Sequence, residues 1–199
     1  MRKIILSVIA LLSINFTNAQ SKIEGFSKGS IYASGSFGIN YTSDKKVPTT
    51  SMDNNFSPSL GYFVTSNLAI GTKVNFGWLT TPGNDGGALY EVKSIKRGIG
   101  VFGRYYFTPA NRFSLITNLG VDYNSTKPNK DSALKINEFS INVTPGINYF
   151  ISNHFALEAG FGRLGYSSSK TNVYGVEPTR EFGLDLDLST ISFGLTFKF

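Results

Sequence analysis

Apolar and polar residues alternate one by one along most of the chain. From Ile31 to Tyr41 the odd positions are mostly apolar and the even ones mostly small or polar. Leu68, Ile70, Thr72, Val74, Phe76 and Trp78 repeat the pattern, as do Phe113, Leu115, Thr117, Leu119, Val121 and Tyr123. Phe139, Ile141, Val143, Pro145, Ile147 and Tyr149 follow it, and so do Ile191, Phe193, Leu195, Phe197 and Phe199. A period of two is the pleat of a β-strand. It predicts eight strands, near 29–42, 55–65, 68–79, 94–107, 113–124, 136–150, 155–166 and 182–199. Each is long enough for the roughly 9–11 residues that a tilted strand needs to cross a bilayer.

The connections are unequal. Tyr-Phe followed by a short polar turn and a new apolar run occurs at Tyr62-Phe63, Tyr106-Phe107 and Tyr149-Phe150, the second aromatics lying 44 and 43 residues apart. Between these tight turns run longer polar stretches, 43–54, 80–93, 125–135 and 167–181, rich in Ser, Thr, Asn, Lys, Gly and Pro. Short turns at one end and long loops at the other mark a transmembrane β-barrel of the outer-membrane type. The expected fold is all-β, an eight-stranded antiparallel up-and-down barrel with its turns and both termini in the periplasm. Pro58 and Pro145 fall within predicted strands, each five residues before the Phe of a Tyr-Phe pair, and a β-bulge is expected at both.

Which parity carries bulk decides between membrane and water. A soluble barrel of the lipocalin type needs an apolar interior and a charged exterior. Here one parity is Phe, Leu, Ile, Val and Tyr, suited to lipid, and the other is Gly, Ser, Asn and Thr, suited to a narrow lumen. The chain holds 17 Phe and 10 Tyr. Tyr62, Tyr105, Phe107, Tyr149 and Phe155 fall at one level and Tyr41, Trp78, Tyr123 and Tyr166 at the other, matching two interfacial belts.

Residues 1–19 read as a secretory signal, with basic Arg2-Lys3, an apolar stretch from Ile4 to Leu12 and small residues before Gln20. The barrel domain is then 20–199. Cleavage lowers the net charge from +6 to +4, because Arg2 and Lys3 leave with the leader. This mild excess, without a clustered basic face, points away from nucleic acid. With 0 cysteines there is neither a disulfide framework nor a thiolate metal site.

The leader, the Gly61-Tyr62-Phe63 and Arg104-Tyr105-Tyr106-Phe107 strand ends, the Thr65-Ser66-Asn67-Leu68-Ala69-Ile70-Gly71 turn and the terminal Phe199 resemble the small outer-membrane β-barrel family of Gram-negative bacteria, porin-like and OmpA/OmpX-like, particularly Bacteroidetes-type members. The resemblance covers the mature chain, which matches the barrel alone, without a following peptidoglycan-binding domain. It implies a monomer in the outer membrane among lipid and lipopolysaccharide, delivered by periplasmic chaperones to the barrel-assembly machinery. By the same resemblance Phe193, Leu195, Phe197 and Phe199 form the signal that this machinery reads. Family members include anchors, adhesins, narrow channels and enzymes, so fold does not name activity.

The chemistry that the residues offer is sparse. Gly98-Ile99-Gly100-Val101-Phe102-Gly103 and Gly160-Phe161-Gly162-Arg163-Leu164-Gly165 fit a dinucleotide fingerprint, but that motif needs a helix after the strand. No helical pattern follows either, and the glycines read as lumen-facing small residues. His154 is the one histidine. It falls on the third turn, with no Ser and acid converging on it for a relay. No catalytic residue, cofactor site or metal site is assigned, although Asp185 and Asp187 could hold a cation.

On the lumen parity lie Lys73, Arg104, Asp122, Glu138, Glu158, Asp185, Asp187 and Lys198. Arg104 and Glu158 stand about four residues from a turn and are expected to meet. Lys73 and Lys198 are placed in the same lower half, with Asp122, Asp185 and Asp187 higher. Lys73, Arg104, Glu158 and Lys198 are thus the candidate plug or gate. Lys45-Lys46 and Lys96-Arg97 are set at the outer rim, within reach of lipid phosphates. The reading is a structural and interaction barrel with surface-exposed loops. The alternative is a narrow non-specific porin-like channel, with a barrel enzyme third.

Overall fold

The computed structural model describes residues 25–44, 49–85, 88–128, 133–185 and 191–199. The leader, Lys45-Lys46 and Asp187 lie outside them, as does the side chain of Asp185. Ten strand segments follow one another: β1 (Ile31–Asp44), β2 (Thr49–Phe63), β3 (Leu68–Asp85), β4 (Ala88–Tyr106), β5 (Phe113–Pro128), β6 (Ile136–Phe150), β7 (Phe155–Gly160), β8 (Arg163–Thr171), β9 (Thr179–Asp185) and β10 (Ser192–Lys198).

These segments make eight staves. Neighbours from β1 to β6 pair antiparallel in chain order. β7 and β8 share the seventh stave, both pairing with β6. β9 and β10 share the eighth, and β10 closes the ring by pairing with β1 from Tyr32↔Lys198 to Gly38↔Ser192. The predicted barrel is therefore present, but its strands run further than the alternation suggested. β3 and β4 stay paired out to Asp85↔Ala88, well into the expected 80–93 loop. Once two strands are in register, main-chain hydrogen bonds extend the ladder whatever the side chains are, so polar stretches can continue as strand.

The two prolines are accommodated differently. Across from Pro145, Gly146 pairs with Gly160 while Val143 pairs with Leu164, so residues 161–163 face only residues 144–145. This is the expected bulge, carried by the neighbouring stave, with Gly162 at φ 67° and Phe161 N–H donating to the Pro145 carbonyl at 3.1 Å. At Pro58 there is no extra residue. The β2–β3 register is the same on both sides, Phe56↔Phe76 and Ser59↔Lys73, and the ladder simply skips Ser57 and Pro58. A missing N–H interrupts hydrogen bonding without shifting the register.

Side chains sort as the alternation demands. Ile99, Val101, Leu119, Leu157, Phe193 and Leu195 point outward and are exposed. An apolar girdle of this extent around a whole barrel far exceeds the patches that a water-soluble monomer leaves bare. Tyr62, Tyr105, Phe107 and Phe155 are exposed at the turn end, and Trp78 and Tyr123 toward the loop end.

The interior departs from the expectation of small polar residues throughout. Near the turns the inward positions are Tyr32, Phe63, Tyr106 and Phe150, all fully buried, with Phe102 and Ile116 just above. This explains the repeated aromatic pair and corrects its phase. Tyr62-Phe63, Tyr105-Tyr106 and Tyr149-Phe150 are the equivalent pairs, the first ring facing lipid and the second filling the lumen. Phe107, placed in phase with Phe63 and Phe150 by the sequence repeat, faces outward instead.

Candidate functional site

Above this aromatic floor the lumen is crossed by ion pairs, one per level. Lowest is Arg104 of β4 with Glu158 of β7, on staves far apart in the ring. Arg104 Nη1 lies 2.7 Å from Glu158 Oε1 and 2.8 Å from Oε2. Their side chains are 12% and 9% exposed. Arg104 Nε donates to Asn118 Oδ1 at 3.3 Å, and Asn148 Nδ2 donates to Glu158 Oε1 at 3.3 Å. The guanidinium carbon also sits 5.4 Å from the Phe102 ring centre and 5.9 Å from that of Tyr32, within cation–π range. Buried charge is tolerated because it is paired and flanked by further hydrogen-bond partners.

One level up, Lys73 Nζ lies 3.0 Å from Asp122 Oδ1. Asn75 Nδ2 bridges Asp122 Oδ1 at 2.9 Å and Asn124 Oδ1 at 3.1 Å, while Ser57 donates to Asn75 Oδ1 at 3.0 Å. Higher still, Lys96 Nζ meets Glu138 Oε1 at 3.3 Å, and Asn124 Nδ2 reaches the same oxygen at 3.4 Å. Small residues make room for these groups. A Cβ on Gly100 would strike the Asp122 carboxylate, and one on Gly98 would strike the Asn124 side-chain oxygen.

The expected set of four therefore divides. Arg104 and Glu158 meet as predicted. Lys73 belongs one level higher with Asp122, which was placed apart from it. Lys198 lies below, at the mouth, its ammonium 2.9 Å from the Gly25 carbonyl oxygen and 5.7 Å from the Phe150 ring centre. Lys96, assigned to the rim with Arg97, turns into the lumen, because even positions of β4 face inward; Arg97 alone faces out. The asparagine ladder, Asn75, Asn118, Asn124 and Asn148, was not singled out from sequence, although its shared parity with the charges was the available signal.

Among the described residues, two small spaces are seen inside the barrel. One of about 170 Å³ lies beside Arg104 and Glu158, lined by Ser34, Ser36, Ser57 and Ser59. The other, about 230 Å³, is lined by Asp53, Asn75, Lys96, Asp122 and Glu138. They adjoin at Ser57 and Lys73. Both have room for water, and neither passes the aromatic floor. Elsewhere, His154 is exposed on its turn with its ring stacked 6.0 Å from Phe197. Among the described residues no cluster of three His, Cys, Asp or Glu stands ready for a metal. Both glycine-rich fingerprints lie in strands, Gly98–Gly103 inside β4 and Gly160–Gly165 across the β7–β8 bulge.

A closed antiparallel ring with a lipid-facing apolar exterior and an ion-paired polar interior defines an integral outer-membrane β-barrel protein. The profile of the outer membrane protein beta-barrel domain family matches residues 7–199, and the chain belongs to that family. In fold it is similar to the outer membrane protein OprG from Pseudomonas aeruginosa, at 15% identity and TM-score 0.57 over 89% of this chain and 99% of that one. It is equally similar to Neisserial surface protein A (NspA), at 15% identity and TM-score 0.57 over 86% and 98%. No curated protein matches the sequence. The protein resides in the outer membrane as a multi-pass β-barrel of the Gram-negative envelope, in contact with lipid and lipopolysaccharide.

Proposed function

We propose that this is a closed structural and interaction barrel rather than a pore or an enzyme. The observation that carries this reading is the occupied lumen: the inward rings of Tyr32, Phe63, Tyr106 and Phe150, with Phe26 packed among them, lie beneath the Arg104–Glu158 bridge and leave no continuous water path. Eight staves give an interior that side chains can just fill, and here they fill it. Work at the outer surface is supported by the far end. The β8–β9 connection presents Tyr174 fully exposed between exposed Val173 and Val176. It is held by Asn172, which accepts from Lys135 N–H at 2.8 Å and donates to the Ala133 carbonyl at 2.8 Å. In this reading the short turns and both termini face the periplasm and the long hairpins face outward. Residues 1–19 are removed on export. Phe193, Leu195, Phe197 and Phe199 present the last strand to the assembly machinery after periplasmic chaperones deliver it.

The test is ion conductance of refolded protein in a planar bilayer, with folding verified by a heat-dependent shift in gel mobility. A folded but silent barrel is expected. Steady single channels that change with Arg104→Ala and Glu158→Ala would overturn the closed-barrel reading and install the narrow channel in its place.

A further inference from the structure

Phe26 precedes the first strand and belongs to no ladder, yet it is among the most deeply buried side chains, at 2% exposure. Its ring lies 4.6 Å from Phe63, 4.9 Å from Phe150, 5.2 Å from Tyr106 and 5.3 Å from Tyr32, centre to centre. Those rings come from four different staves. Phe150 joins the others through Phe26, so the floor is complete only with this fifth ring in place.

The main chain that carries Phe26 spans the mouth. Gly29 N–H donates to the Phe63 carbonyl at 2.9 Å beside β1, while Phe26 N–H donates to the Pro109 carbonyl at 2.8 Å and Gly25 N–H to the Ala110 carbonyl at 3.3 Å. Pro109 and Ala110 form the turn between the fourth and fifth staves, opposite the first in a ring of eight. From the last stave Lys198 Nζ donates to the Gly25 carbonyl at 2.9 Å. Gly25 has no room for a side chain, since a Cβ would strike the Pro109 carbonyl, and Gly29 turns the chain at φ 90°.

We propose that residues 25–30 are a latch that docks after ring closure and seals the turn end of the lumen. Its anchors, the β4–β5 turn and β10, reach their positions only when the first and last strands have paired. Its attachments are a few hydrogen bonds and one ring, so it can detach while the staves stay intact. The latch goes beyond the closed-barrel reading and is testable in a barrel that conducts no ions.

The chain holds 0 cysteines, so Ser34→Cys places a single thiol in the cavity above the floor. Its modification by a small cationic methanethiosulfonate reagent is followed in nanodiscs, with the latch intact and with Phe26→Ala or Gly25→Val added. Each latch variant is expected to speed labelling at least about tenfold and to lower the temperature of the gel-mobility shift, while the folded band persists at room temperature. Gly25→Val retains Phe26 and carries the test should Phe26→Ala fail to fold. A folded Gly25→Val barrel with unchanged labelling and an unchanged shift temperature overturns the latch.

Discussion

Glu158→Ala gives the most direct measure of how the lumen is held. The substitution removes two contacts of 2.7 and 2.8 Å from Arg104 Nη1 and strands a guanidinium whose side chain is 12% exposed. Breaking a buried pair from one side costs about 3–5 kcal/mol. The adjoining cavity of about 170 Å³ can hydrate the orphaned charge, which places the expected loss near the lower bound, about 3 kcal/mol. Trp78 supplies the signal. It is the sole tryptophan and is 50% exposed on the lipid face, so its emission should shift to the red as urea pulls the strands out of lipid vesicles. Arg104→Leu combined with Glu158→Leu removes both charges and should be less destabilised than the sum of the single losses by about 2 kcal/mol, as expected of groups in direct contact. A loss below about 0.5 kcal/mol for Glu158→Ala, or additivity of the two leucine substitutions within about 0.5 kcal/mol, would refute the claim that this bridge secures the lumen.

Other outcomes follow from the same geometry. Leu119→Arg puts a charge on the outward face of β5 and should cost about 2–4 kcal/mol in the same titration if that residue lies near the bilayer midplane; a neutral result would contradict the lipid-facing assignment. Removing Phe199, whose N–H donates to the Ile31 carbonyl at 3.1 Å, should lower the yield of assembled barrel in cells while export continues, and normal yield would argue against the terminal-strand signal. Asn172→Ala deletes both side-chain hydrogen bonds between the β5–β6 and β8–β9 connections, each worth roughly 1 kcal/mol. Limited proteolysis should then cut residues 172–178 several-fold faster, with the membrane-embedded fragment unchanged; equal rates would show that Asn172 does not order that surface.

Much of this architecture was legible in the alternation alone, because a strand buried on two unlike faces must write both of them into its sequence at period two. Which residues face lipid, how many staves there are and the meeting of Arg104 with Glu158 all follow from counting positions up from the short turns. Parity also puts Lys96 inside, on the same even positions of β4 as Arg104, although its nearness to the rim suggested otherwise. Counting could not set Lys73 beside Asp122, because the stagger between neighbouring strands fixes levels across the barrel and is absent from any single strand. The Tyr-Phe pairs were visible as a repeat, but their meaning, one ring out and one in, depended on the ring closing around them. Phe26 carried no local signal at all. Sequence decides the two faces of each strand, a local matter of pleat and solvent. Only the closed ring decides what meets at its centre, because contacts such as Arg104 with Glu158, 54 positions apart, join separate staves through a geometry that exists once the last strand has paired with the first.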